Sequence, residues 1–181
     1  RRGYGLGDGR VLVYPAITHP HKGHEFLLEV MSQHWDDPDL RLVLLGGAGS
    51  ADRGIKAKIA SLGLERRVIR TGRVPASHRD GFLALAEAMV FPSEYEGFGA
   101  PVVEAMALGT PVIAADQPAV AEVVGNAGIV LPRNSDAWAG ALDDVGARRQ
   151  ELVAAGRRRS ADFTAERLGA ALVSAYRRAL E

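Results

Sequence analysis

Glu96 and Glu104 stand with seven residues between them, Gly97-Phe98-Gly99-Ala100-Pro101-Val102-Val103, directly after the apolar run Ala88-Met89-Val90-Phe91. One carboxylate should fall in the turn after a strand and the other on the helix that follows. Pro101 suits the first helical turn, where its missing N–H would have been unpaired anyway. The amides of Phe98, Gly99 and Ala100 then form an anion cradle, and Gly97 and Gly99 let a phosphate approach the backbone. Glu104 lies in the apolar stretch VVEAMAL, which a sheet should cover, and a buried carboxylate without a partner is costly. It calls for hydroxyl donors, and a ribose offers a vicinal pair. The plainer alternative is a half-exposed Glu104 that answers only the helix dipole. Glu96 precedes the cradle and would face whatever is attached beyond the phosphates; its alternative is a solvated loop acid.

Lys22 offers matching positive charge. It lies near the start of a helix, where the dipole disfavours a cation, so a local anion explains its position better than helix stability does. A solvated surface lysine is the other reading. His19, His21 and His24 surround it, but their spacing is not the i, i+4 of a helical metal pair, and no metal site is expected.

Parallel strands must position these groups. The runs Val11–Tyr14, Leu40–Leu45, Val68–Thr71, Ala88–Phe91, Pro111–Ala115 and Gly128–Leu131 are continuous rather than alternating, as suits strands buried on both faces. Helix-period stretches around 22–35, 52–62, 77–86, 99–108 and 118–124 separate them. The pattern predicts an α/β fold with a doubly wound, six-stranded parallel sheet of Rossmann type. After Pro132, residues 135–146, 147–162 and 164–180 read as helices, with Thr164 an N-cap. In such sheets ligands bind beyond the carboxyl ends of the strands, where Lys22 and Glu96 both fall.

Composition removes several function classes. Lys plus Arg and Asp plus Glu each number 22, so the net charge is zero and the field that gathers nucleic acid is lacking. With no cysteine there is no disulfide, thiol nucleophile or thiolate metal site. The arginines at 157–159 and 177–178 are interspersed with Glu151, Asp162, Glu166 and Glu181, which suits solvated helix faces better than a membrane surface. The segment GGAGSAD at 46–52 fails the dinucleotide spacing, because Asp52 stands where the third glycine is needed. Gly46, Gly47 and Gly49 then read as a permissive turn or as backbone that touches a ligand. RRGYGLGDGR at the start is neither an initiator segment nor a signal peptide, and a piece of a longer, cytoplasmic protein is expected.

The string Glu96-Gly-Phe-Gly-Ala-Pro-Val-Val-Glu104, preceded by VFPSEY and continued by AMALGTPVIAAD, resembles the paired-glutamate signature of retaining glycosyltransferases of family 4, which have the GT-B fold. PHKGH at 20–24 is similar to that family's phosphate loop, TGRV at 71–74 to its nucleobase-side turn, and AEVVGNAG at 121–128 to its later helix and strand. The likeness runs in order from about Val11 to Pro132. It implies that residues 1–181 are the C-terminal, donor-binding half of a hexosyltransferase-like enzyme using a nucleoside-diphosphate sugar, with no cofactor or metal. The acceptor would be a glycan, lipid or small molecule held by an N-terminal domain outside this chain, and this half alone should be inactive. The resemblance further implies that Lys22 and the amides of Gly97, Phe98, Gly99 and Ala100 meet the diphosphate, Glu104 the ribose, the backbone near Val74 the base, and Glu96 the transferred sugar. One departure stands out: family members commonly carry an arginine five residues before the loop lysine, and here that position is Ile17, with Thr18, His19 and Arg73 as candidates to replace it. A GT-B-like sugar-nucleotide epimerase and a non-catalytic nucleotide-binding module are the competing readings.

Overall fold

The computed structural model describes residues 1–180. Glu181, one of the acids set against the basic helices, lies outside the described residues. Six strands, β1 (Val11–Pro15), β2 (Arg41–Leu45), β3 (Val68–Gly72), β4 (Ala88–Phe91), β5 (Val112–Ala115) and β6 (Ile129–Leu131), form one parallel sheet in the order β3-β2-β1-β4-β5-β6. Between them run α1 (His24–Gln33), α2 (Asp52–Ser61), α3 (Ala76–Leu85), α4 (Ala100–Ala107) and α5 (Pro118–Val124). The sheet is the doubly wound one expected from the apolar runs. Its inner strands β1, β4 and β5 are buried almost throughout, whereas Ile69 to Gly72 and Val130 and Leu131 are only half-buried, because β3 and β6 are the sheet edges.

The strand order reverses between β1 and β4, so successive crossovers leave in opposite directions and open a crevice at the carboxyl ends of these two strands. The two are paired only at Leu12 with Ala88 and Val13 with Met89. Beyond those pairs the strands run on to Pro15 and Phe91 without a further ladder bond, so the crevice begins inside the sheet.

The last third departs from the expected helix boundaries. Instead of helices over 135–146 and 147–162, a short α6 (Ser135–Trp138) is followed by one continuous α7 (Ala141–Ser160). The break falls where Trp138 is fully buried, stacks edge-on against Phe26 at 5.3 Å and donates to the Pro132 carbonyl at 3.0 Å. Gly146 sits inside α7 without ending it, at the ~1 kcal/mol that an interior glycine costs relative to alanine. α7 packs on α4 where Gly156 lets Met106 approach; a Cβ there would stand 3.3 Å from the Met106 Cγ. The arginines of its last turn are not all solvated: Arg159 donates to the carbonyls of Val123 and Glu122 and covers the Phe163 ring. Thr164 caps α8 (Ala165–Ala179), accepting from the Arg167 amide. Leu168, Leu172, Val173 and Tyr176 are exposed along α8 at spacings that make one stripe. No helix among the described residues is long and apolar enough to cross a membrane.

The turn after β2 is set by close backbone approach. A Cβ on Gly46 would lie 2.1 Å from the Ala16 carbonyl oxygen, and one on Gly49 would lie 2.6 Å from that of Thr18. These glycines let the β2 turn press against the β1 turn. Gly46→Ala should therefore lower stability by about 1–3 kcal/mol, the usual cost of overpacking. Gly97→Ala, with nothing within 4 Å of its new methyl group, should change it by about 0.5 kcal/mol or less. Urea denaturation of both variants checks the contrast.

Candidate functional site

From the end of β1 the chain passes through a 3₁₀ turn, Pro20–Lys22, into Gly23, whose φ of 69° suits glycine. A Cβ on Gly23 would stand 2.4 Å from the Pro92 carbonyl oxygen, so the loop after β1 lies directly on the loop after β4. Several bonds strap the two loops together. The Tyr14 hydroxyl donates to the Lys22 carbonyl at 2.6 Å and lies 3.1 Å from the Ser93 hydroxyl. The Glu94 amide donates to the His21 carbonyl at 2.8 Å, and Arg133 holds both the Pro92 carbonyl at 3.1 Å and the Glu94 carboxylate at 3.0 Å. Burial pushes the Tyr14 phenol far above its ordinary range, so it stays a neutral donor.

The strap brings two of the expected site residues into contact: Lys22 Nζ lies 2.6 Å from Glu96 Oε1, across 74 residues of sequence. The two side chains are only 22% and 14% exposed. They line a cleft of about 250 Å³ together with Pro15, Ile17, His19 and Pro101. Behind them α4 begins at Gly99, in the left-handed region at φ 91°, with Pro101 in its first turn. The N–H groups of Phe98, Gly99 and Ala100 have no hydrogen-bond partner among the described residues, as an anion cradle requires. Gly97 lies open on the surface. The Phe98 side chain points away from the cleft and meets Phe163 at 5.5 Å.

A second cleft of about 210 Å³ adjoins the first at Pro15 and is lined by Gly46, Gly72, Arg73, Val74 and Arg79. Val74 thus sits at the carboxyl end of β3, one cleft away from Lys22. Glu104 is not buried, contrary to the expectation from its apolar neighbours. Its side chain is 40% exposed and its Oε2 lies 3.6 Å from Arg79 Nη1. The reason is rotation about α4: Val102, Ala105 and Met106 take the covered face, and Glu104 is left at the rim. Among the candidates to replace a cation at Ile17, Thr18 is buried, accepts from the Gly49 amide and donates to Asp52. His19 is beside the Ser50 hydroxyl at 3.2 Å and stacked on His21. His24 departs from this stacked pair and turns into the core.

Arg79 and Gln117 escaped the sequence reading. Gln117 caps α5 and reaches the Glu96 carbonyl at 3.5 Å. Its signal was present, a capping residue ahead of Pro118 just after a strand end. Arg79 gave only a weak one, a cation on the helix that follows TGRV.

The model of a protein family, glycosyl transferases group 1, matches residues 2–159. A D-inositol 3-phosphate glycosyltransferase of Jonesia denitrificans is 30% identical over 94% of this chain and 43% of its own length. Sucrose-phosphate synthase from Thermosynechococcus elongatus superposes with a TM-score of 0.83 at 28% identity, over 96% of this chain and 46% of that one. Anabaena HepE, solved in complex with UDP-glucose, gives 0.76 at 26% identity, over 89% and 45%. The chain spans less than half the length of these relatives.

His24, two residues from Lys22, should make the stability of the fold pH-dependent. It is 2% exposed, and neither ring nitrogen has a hydrogen-bond partner among the described residues. Burial pushes its imidazole from the ordinary 6.5 down to about 4; the Ala16 backbone opposes this without closing a hydrogen bond, and the nearby Arg70 and Lys22 charges add to it. The fold thus favours the neutral ring, and its contribution is complete above pH 6.5 and lost as pH falls toward 4. The loss should approach about 3 kcal/mol at the acid end. Urea denaturation across that window should show a steeper pH dependence for the wild type than for His24→Phe. Equal slopes would show that His24 does not titrate on unfolding.

Proposed function

We propose that this chain, which belongs to the family of glycosyl transferases group 1, is the donor-binding half of a retaining glycosyltransferase using a nucleoside-diphosphate sugar. The observation that carries the reading is the Lys22–Glu96 pair beside the free amides of α4. In a sugar nucleotide the anomeric carbon is bonded to the terminal phosphate, so a site for it needs a cation and a sugar-facing polar group within a few ångströms of each other. Lys22 and Glu96 have that relation at the crevice where the strand order reverses. The relatives' greater length supports placing the acceptor site in a further domain, and the exposed stripe of α8 offers that domain an apolar surface.

The mechanism follows from where charge develops. As the bond between sugar and phosphate breaks, the sugar becomes oxocarbenium-like and the leaving diphosphate gains negative charge. Lys22 and the amides of Phe98, Gly99 and Ala100 stabilise that leaving group, and being fixed before reaction they need no reorganisation. Glu96 orients the sugar and stabilises its positive charge; this role needs no covalent intermediate. Glu104, steadied by Arg79, accepts from the ribose hydroxyls, and the base lies in the cleft at Val74. The groups that meet the diphosphate are a side chain and backbone amides, so no metal is required.

Two measurements test this. Binding of UDP, ADP or GDP to the chain, whichever is tightest, should be unchanged by EDTA, and loss of binding on chelation would overturn the metal-free cradle. Glu104→Ala should weaken the bare diphosphate and the intact sugar donor alike, by about 1.5–3 kcal/mol or roughly ten- to a hundredfold. Glu96→Ala should leave the diphosphate at least as tightly bound, since Lys22 loses a competing carboxylate, while the intact donor suffers. Calorimetric titration that gave equal losses of bare diphosphate for the two variants would contradict the division of roles.

A further inference from the structure

The basic side chains lining the two clefts differ in their company. Lys22 is paired with Glu96 at 2.6 Å. Arg79 is shared between Asp80 at 3.1 Å and Glu104 at 3.6 Å. Arg73 is exposed and has neither an ion-pair nor a hydrogen-bond partner among the described residues. A nucleoside diphosphate brings at least two negative charges into clefts where two of three cations already face carboxylates, and burying phosphate without matching positive charge is unfavourable.

The Arg73 side chain also runs toward the other loops. It lies over the bare backbone of Gly47, where a Cβ would stand 3.1 Å from its Nε and 3.5 Å from its Cγ. Gly47 is in turn bound to the loop after β1, its carbonyl accepting from the Thr18 amide at 3.3 Å. Arg73 therefore leaves β3, crosses the β2 turn and approaches the segment that leads to Lys22. The neighbouring groups there are committed, Thr18 to Gly49 and Asp52, and His19 to Ser50. We propose that Arg73 is a second diphosphate-binding residue, supplying from the β3–α3 loop a cation that no carboxylate among the described residues already engages. The proposal rests on the donor-site reading above. A guanidinium suits the task, since it stays charged and can bond two phosphate oxygens at once.

The test is calorimetric titration of the wild-type chain, Arg73→Ala and Arg73→Lys with UDP, ADP and GDP and with the corresponding monophosphates. For the diphosphate that wild type binds best, Arg73→Ala should lose roughly ten- to a hundredfold in affinity. The monophosphate of the same base should lose only a few-fold, and Arg73→Lys should fall between. The wild-type diphosphate affinity should also drop more steeply with added salt than that of Arg73→Ala. Equal losses for mono- and diphosphate would place Arg73 on the base or ribose and overturn the proposal, as would no loss at all. If no diphosphate binds the wild type, the donor-site reading falls and this proposal with it.

Discussion

Everything at the carboxyl edge of the sheet depends on two loops lying in backbone contact, the one after β1 and the one after β4. The contact is possible because Gly23 has no Cβ where the Pro92 carbonyl comes closest. It is held by the Tyr14 hydroxyl, which reaches Lys22 from beneath and Ser93 from the side. Neither loop carries regular structure of its own beyond a 3₁₀ turn, so the strands fix only where each begins. The strap decides where Lys22 and Glu96 end up.

The electrostatics follow from that geometry. Two partly buried charges at hydrogen-bond distance offset part of one another's desolvation, so the crevice holds a lysine and a glutamate together. The same proximity leaves the Lys22 ammonium engaged by a carboxylate, while the amides of Phe98, Gly99 and Ala100 have no partner among the described residues. Around this pair the cleft graduates from apolar surface at Ile17 and Pro101 to arginine-rich surface at Arg73 and Arg79. A ligand that fits it must itself change character along its length.

Much of this was legible in the sequence. The apolar runs located all six strands to within a residue or two; the inner strands, buried on both faces, give the clearest runs, and the half-buried edge β3 carries Arg70 and Thr71. Placing Lys22 and Glu96 after the first and fourth strands was enough to put them at one edge. What escaped depended on rotation and on partners distant in sequence. Glu104 read as buried because its neighbours are apolar, yet the helix turns it to the rim, where Arg79 from another helix meets it. The helix boundary read between 146 and 147 falls inside the continuous α7, which packs against α4. The strap by Tyr14 and Arg133 had no local signal, since its partners, two backbone carbonyls, the Ser93 hydroxyl and the Glu94 carboxylate, meet them only in the folded chain.

The pairing of β1 with β4 also bears on the order in which the molecule can assemble. β1, β2 and β3 neighbour one another in sequence and in space, whereas β4 must return past two strands to lie beside β1. Contacts of such wide separation carry a loop-closure cost before they are rewarded, and they tend to form late. The charge pair spans 74 residues and lies beyond the last β1–β4 ladder position, so it joins only after that closure. On a growing chain, residues up to Phe91 supply the first four strands and Lys22 but no carboxylate to meet it. The Lys22–Glu96 contact is thus a property of the completed sheet, and a misdocked β4 would abolish it while leaving half the strands correctly paired.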